Sequence, residues 1–372
     1  MYGGRQDMEH FITSIIIKEL RHLSNIKITL NPEKRQHLIL TGRNGSGKTS
    51  LLLAIQEYLR LIPTADNRGV LVQLSSLQDI HTLYKKGDFI TAFFPADRKS
   101  AIQRANGVEE IRLEEFYSID SDPGILLQKY MVHLKTQQAY ARNEEDSETV
   151  ERIQKWFDRF VDALRILLDD ETLSLEYDYK EYDFKIYEKG RKPFHFDELS
   201  DGYSSVIRIV SNLLLRMEKN WLYTDALSTY DTEGIVLIDE LETHLHLDLQ
   251  KKILPFLTEF FPKIQFIVST HSPYILNSIS NSKAYDLETC VELENLSMYT
   301  SEGLAEGYFD ADEYSEELKK RLNRYLFMMK KSNLTDEERA ERASLRLELK
   351  KIPRQLSPEI VDAFERIERQ KL

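Results

Sequence analysis

Gly42-Arg43-Asn44-Gly45-Ser46-Gly47-Lys48-Thr49, followed by Ser50, decides the fold of this chain. Glycine, four residues and Gly-Lys-Thr is the pattern of a phosphate-binding loop. Its glycines let successive backbone N–H groups curl around an anion, and a helix starting there adds the positive end of its dipole. Lys48 is expected to reach terminal phosphates as a point charge, and the Thr49 hydroxyl to ligate Mg²⁺. A mere glycine-rich turn would require neither the apolar strand before it, His37-Leu38-Ile39-Leu40, nor the helix-capable run after it. That helix is expected from about Thr49 to Leu61, stopped by Pro63.

Three further segments extend the reading. Gly234-Ile235-Val236-Leu237-Ile238-Asp239-Glu240 is a buried-type strand ending in two carboxylates. Beside a phosphate loop, Asp239 is expected at the metal and Glu240 at an attacking water, as general base. Phe266-Ile267-Val268-Ser269-Thr270-His271 is a second such strand, delivering His271 where a terminal phosphate would be sensed. Leu199-Ser200-Asp201-Gly202-Tyr203 opens a helix upstream of both. Ser200 would serve as an ordinary N-cap there, but the order of the four segments argues for more.

Leu-Ser-Asp-Gly resembles the signature motif of ATP-binding-cassette ATPases, in the form used by SMC and RecF heads. In that order of motifs the chain resembles a standalone ABC-type ATPase of the SMC/RecF superfamily over roughly Ile12 to Ile279, the group known in bacteria as AAA-family ATPases. Glu240 to Leu247 resembles the Glu-Pro-Glu-x-x-Leu-His-Pro form of the second motif, with Leu241 and Leu247 in place of the usual prolines. Phe93-Phe94-Pro95-Ala96-Asp97-Arg98 resembles the aromatic-Pro-Ala-acid-Arg segment near the Q-loop; Gln73, Gln78 and Gln103 are candidates for the Q-loop glutamine. Arg21-His22 stands where related heads carry a basic residue near the base or ribose. The resemblance implies ATP and Mg²⁺ as ligands, with Gly42 to Ser50 on the phosphates. It also implies Ser200, Asp201 and Gly202 completing the site of a second copy in an ATP-sandwiched homodimer or higher assembly.

The alternation of strands and helices predicts an α/β fold with a mainly parallel sheet. Its segments are an N-terminal head lobe at 11–100, a helical insertion at 101–170, a signature-bearing lobe at 171–300 and a C-terminal helical extension at 301–372. Ile153, Phe157, Phe160, Leu164 and Leu167 form one helical stripe, with Gly124 to Arg142 as its antiparallel partner across Asn143-Glu144-Glu145-Asp146. Two helices of about twenty-five residues would reach only ~35–40 Å, a lid or docking arm too short for a DNA-tethering ring. Leu173 to Phe196 alternates as a hairpin. Beyond Asp310, Leu318, Leu322, Tyr325 and Met329 share one helical face and Leu345, Leu349 and Ile352 another, with a capping box at Thr335 and Glu338 and a last helix opening at Ser357-Pro358.

The 372 residues carry a net charge of −12, with 41% hydrophobic and 30% charged residues. This is a core-forming composition, with apolar runs far below the ~20 residues of a membrane span. With Cys290 as the lone cysteine, a disulfide scaffold and a cysteine-rich zinc site are excluded. A cytoplasmic, soluble chain is expected. The acidic balance disfavours whole-surface DNA affinity, leaving at most weak binding. The basic run Lys319-Lys320-Arg321, Arg324, Lys330-Lys331 lies among acids and reads as a solvated helix face. Asp183-Phe184-Lys185 has the acid-x-Lys ending of some nucleases but fits a hairpin strand equally well. His244 and His246 lack the spacing of a helical zinc pair.

Three functions compete. The first is an ATPase whose dimerisation controls a partner effector, a nuclease or toxin, as in the Septu- or PARIS-like phage-defence systems that such heads resemble; the helices past Asp310 would be the docking surface. The second is a RecF-like DNA-binding repair ATPase. The third is a transporter ATPase subunit, against which stand the Leu-Ser-Asp-Gly form and the long interval from Gly202 to Asp239.

Overall fold

A computed structural model describes residues 9–60, 69–98, 102–223, 232–293, 296–307, 316–331, 333–352 and 358–369. Pro63, Asp310 and Ser357 lie outside the described residues. The chain divides into two compact units, Met1–Thr300 and Ser301–Leu372.

The first unit begins with β1 (Ile12–Leu20), β2 (Leu23–Thr29), β3 (His37–Thr41), α1 (Lys48–Arg60), β4 (Val70–Leu74), α2 (Leu77–Lys85) and β5 (Phe89–Phe94). Two long helices follow, α3 (Leu127–Asn143) and α4 (Ser147–Leu168), then the strands β6 (Ser174–Asp178) and β7 (Asp183–Tyr187). After them come α5 (Asp201–Tyr223), β8 (Glu233–Ile238), α6 (Leu247–Phe260), β9 (Ile264–Ser269), α7 (Pro273–Leu276), β10 (Ser282–Asp286) and β11 (Val291–Leu293).

The main sheet has the order β11-β10-β3-β9-β8-β5, in which β10 through β5 are parallel and only β11 is antiparallel. Strands β3 and β9 are buried at every residue, which is why their sequences read as continuous apolar runs without alternation. A smaller antiparallel sheet, β2-β1-β4, lies over the same core, pairing Ile15 with Ile28 on one side and Val72 on the other. Between the two sheets α1 contributes Leu51, Leu52 and Ile55 to a core shared with Ile15, Leu38, Leu40, Ile235 and Ile267. Gln265, fully buried, joins the layers: its amide oxygen accepts from Ile12 N at 2.7 Å, and its nitrogen donates to Ile12 O and Gln36 O. An unpaired amide there would cost about 1–3 kcal/mol, so both of its ends are occupied.

The expected helical hairpin is present, as α3 of 17 residues and α4 of 22, the latter capped by the Asp146 side chain on Thr149 N. It does not stand out as an arm. Trp156, Phe160 and Leu164 are buried, and Glu218 of α5 accepts from Tyr130 Oη at 2.6 Å and Trp156 Nε1 at 2.8 Å. The helical run expected from Ala101 also begins later, with a 3₁₀ turn at Pro123–Leu126. The segment before it is irregular because the buried guanidinium of Arg216 takes the carbonyls of Tyr117, Ser118 and Ser121, while Asp122 accepts from Arg208 and Asn212. Side chains of α5 supply the partners that helical turns would otherwise provide. The β6–β7 hairpin is present as expected.

The second unit holds α8 (Ser301–Gly307), α9 (Glu316–Lys330), α10 (Asp336–Lys350) and α11 (Pro358–Arg369). Tyr325, Met328, Leu345, Leu349 and Phe364 form its core, and the Thr335–Glu338 capping box opens α10. Arg321, Arg324 and Lys331 pair with Glu348, Glu341 and Glu338 across its surface, as a solvated face does.

Candidate functional site

The C-terminal ends of three adjacent parallel strands, β3, β9 and β8, build the site. From β3 the chain enters a left-handed path with φ of 121° at Gly42, 88° at Gly45 and 100° at Gly47. At Gly42 a Cβ would lie 2.8 Å from an Asp286 carboxylate oxygen, so glycine is required both for space and for backbone. Asp286 is held in turn by Glu288 N and Thr289 Oγ1, and Arg43 N donates to Glu288, so the loop after β10 buttresses the glycine loop. His22, on the β1–β2 turn, contacts Ser46 O through Nε2 at 3.1 Å. Asn44 is exposed at the loop tip, and Ser50 is partly buried in the first turn of α1.

Lys48 opens α1 and folds back, donating to Gly42 O at 2.8 Å and Arg43 O at 3.2 Å. Burial lowers its pKa, while the carboxylates of Glu240, Glu242, Asp239 and Asp286 raise it again. Thr49 Oγ1 donates to Asp239 Oδ2 at 2.8 Å, and Ser269 Oγ donates to the other Asp239 oxygen. The two expected metal ligands are therefore in contact. Glu240 follows at φ 45°, its N–H on Ser269 Oγ at 2.8 Å and its carboxylate accepting from Thr243 Oγ1 at 3.3 Å.

From the end of β9, Thr270 Oγ1 and the His271 backbone N–H both donate to the Glu242 carboxylate. His271 is pushed below the ordinary imidazole range by burial and then by Lys48, which keeps the ring neutral at pH 7. Its Nε2 and the hydroxyl of Ser46 are buried without a hydrogen-bond partner. Buried polar atoms are normally paired. Two orphans among the residues that would surround a terminal phosphate fit an anion that accepts from both.

Ser200, Asp201 and Gly202 begin α5, with Ser204 N donating to Ser200 O at 2.9 Å. A Cβ on Gly202 would sit 2.7 Å from His244 O, so this glycine lets the first turn of α5 lie against the loop after β8. Ser200 and Asp201 face solvent. Arg98 spans these two elements. It is 2% exposed, donates to the carbonyls of Asp239, Glu240 and Leu241, and reaches Ser205 Oγ on α5 at 3.1 Å.

Among the glutamines weighed for the Q-loop, Gln73 lies in β4 and accepts from Ser14, Gln103 is exposed, and the side chain of Gln78 lies outside the described residues. Asp183 accepts from Gln128, and Lys185 pairs with Asp178 across the β6–β7 hairpin, which gives the acid-x-Lys segment a structural place. Ser269, Glu242 and Asp286 line the candidate site, and the sequence reading gave them no role. Glu242 stood within a quoted motif, whereas Asp286 lies on a strand that periodicity did not reveal.

The family described as "AAA domain, putative AbiEii toxin, Type IV TA system" matches residues 157–277. The Septu protein PtuA of Bacillus mycoides (strain KBAB4) is 26% identical over 79% of this chain and 42% of its own length. The chain thus spans about two fifths of that relative. The "Retron Vc95 probable ATPase" of Vibrio cholerae serotype O1 biovar El Tor is 33% identical over 38% of this chain and 26% of that protein. Among solved structures, an Smc head bound to the C-terminal winged-helix domain of ScpA is 12% identical at a TM-score of 0.45, covering 78% of this chain and 100% of that one. No described helix is long and apolar enough to cross a membrane. With its glycine loop on an α/β head, the chain is similar in sequence to the Septu protein PtuA and to the Retron Vc95 probable ATPase.

Proposed function

We propose that this chain binds ATP with Mg²⁺, hydrolyses it, and couples that cycle to homodimerisation and to control of an effector protein, a nuclease or toxin, in cytoplasmic phage defence. One observation supports the ATPase reading: Lys48, Thr49, Asp239, Glu240 and His271 converge from three neighbouring strand ends, and two buried polar atoms there, Ser46 Oγ on the glycine loop and His271 Nε2, lack partners. In this reading loop N–H groups beyond Arg43 and the N-terminus of α1 hold the phosphates, and Lys48 leaves its two carbonyls to pair with them. Thr49 and Asp239 would hold Mg²⁺, which when bound neutralises charge on the phosphate oxygens. Glu240 accepts a proton from the attacking water, the leaving group departs as ADP, and neutral His271 donates to the transferred phosphoryl group. Ser200, exposed just before α5, and the backbone N–H groups around Gly202 would serve the nucleotide of a second copy; hydrolysis then removes the ligand that holds the copies together.

The similarity to Septu PtuA supports the defence role. The acidic net charge of −12 makes a protein the better partner and leaves DNA as a weak, salt-sensitive ligand. The test compares wild type with Glu240→Gln and with Glu240→Gln carrying Ser200→Arg. Glu240→Gln should lose at least about a hundredfold in phosphate release while still binding ATP, since removal of a general base costs about 10²–10⁴. With ATP it should gain mass in light scattering, and the added Ser200→Arg should abolish the gain. Wild-type turnover in Glu240→Gln would sink the assignment of the base, and one mass in every state would sink the sandwich.

A further inference from the structure

We propose that Arg98 is the positioning residue for Glu240 and the mechanical link between the start of α5 and the turn that follows β8. The inference rests on the ATPase reading only for its kinetic consequence.

Glu240 sits in the left-handed region at φ 45°, a conformation that a non-glycine residue keeps only when its surroundings over-determine it. Two groups do so. Ser269 Oγ fixes the Glu240 N–H at 2.8 Å, and Arg98 fixes the carbonyls on both sides. Its Nη1 donates to Asp239 O and to Pro95 O at 3.0 Å, and its Nη2 to Glu240 O at 2.9 Å and Leu241 O at 3.3 Å. One planar fork thus holds three successive carbonyls, which a flexible ammonium cannot reproduce. The remaining donor, Nε, goes to Ser205 Oγ in the second turn of α5.

Every hydrogen-bonding nitrogen of this buried side chain is thus assigned to either the carboxylate-bearing turn or the signature helix. Gly202 completes the contact from the other side, where α5 rests on His244 O without room for a side chain. A shift of α5 must therefore either drag the backbone of residues 239–241 or break bonds to a buried guanidinium, which is costly in a low-dielectric interior. Engagement of the exposed start of α5 is in this way transmitted to the φ of Glu240, and so to the direction of its carboxylate. With its donors on backbone carbonyls and Ser205, Arg98 acts through Glu240.

The test uses the full chain. Hydrogen exchange of the nucleotide-free protein, read by mass spectrometry, compares wild type with Arg98→Lys and with the milder Ser205→Ala. Arg98→Lys should speed exchange in peptides covering both 239–245 and 201–210, and Ser205→Ala should do so in 201–210 with its melting temperature unchanged. Unaltered exchange at 239–245 in Arg98→Lys overturns the link. In turnover, Arg98→Lys should lower kcat at least tenfold with the affinity for a fluorescent ATP analogue within threefold of wild type. Combined with Glu240→Gln it should add no further loss. A parallel fall of kcat, nucleotide affinity and melting temperature would make Arg98 merely structural and overturn the positioning role. A wild type that turns over no ATP refutes the ATPase reading alone, because the exchange experiment still decides the link.

Discussion

Replacing Glu218 by glutamine should remove a pH dependence of stability that the wild type carries. The Glu218 carboxyl is wholly buried between α5 and the α3–α4 hairpin, and burial pushes it up to about 7 from the ordinary 4.5, opposed in part by the bonds from Tyr130 and Trp156. Between those two values the folded protein holds a proton that the unfolded chain has released, so stability falls as pH rises through the window. With the carboxyl raised to about 7, its ionisation costs the fold roughly 3 kcal/mol above pH ~7 and nothing below pH ~4.5. Glutamine keeps both partners, accepting from Trp156 Nε1 with its oxygen and donating to Tyr130 Oη with its nitrogen. Urea unfolding of both proteins at several pH values between about 5 and 8 isolates the effect, because every other titrating group cancels in the difference. The advantage of Glu218→Gln should grow by about 3 kcal/mol towards the alkaline end. Parallel stability curves would refute the reasoning and mean that the carboxyl reaches water or a cation.

Gly42→Ala should cost at least tenfold in ATP affinity, measured by fluorescent-nucleotide titration, because its φ of 121° and the Asp286 oxygen at 2.8 Å leave a methyl group no place. Phe160→Ala removes a fully buried ring stacked on Trp156 and should destabilise the first unit by about 3–5 kcal/mol in denaturant unfolding, with the helical content otherwise retained.

Much of the site could be read from the sequence because its chemistry is local. A glycine loop, a strand ending in Asp239-Glu240 and a strand ending before His271 each carry their meaning within eight residues. Strands β8 and β9 also announce themselves, since burial on both faces leaves only apolar residues. Strand β10 does not: Ser-Lys-Ala-Tyr-Asp alternates weakly, and its pairing with β3 on one side and β11 on the other makes it a strand. Strand β4 and helix α2 went unseen for the same reason, as one is held by β1 and the other packs on β5. The insertion misled in a different way. Its charge pattern suggests helix throughout, but residues 117–122 are held by Arg208 and Asn212 at the Asp122 carboxylate and by Arg216 at backbone carbonyls, which no local pattern reveals. Arg98 was visible as part of a motif, yet the three carbonyls it gathers lie more than a hundred residues away in sequence.

The strand order has a consequence for how the protein is made. Strand β3 emerges from synthesis well before its neighbours on both sides, β9 and β10, which lie near the far end of the first unit. The small sheet of β1, β2 and β4 and the α3–α4 hairpin can form from nearby segments, whereas Thr49 must wait for Asp239, 190 residues later. Long-range parallel pairing of this kind is slow, and it leaves apolar strand edges unpaired while the chain grows. A nascent chain therefore displays its glycine loop long before the Asp239–Glu240 turn can pack against it, and the candidate site comes together only in one late closing step.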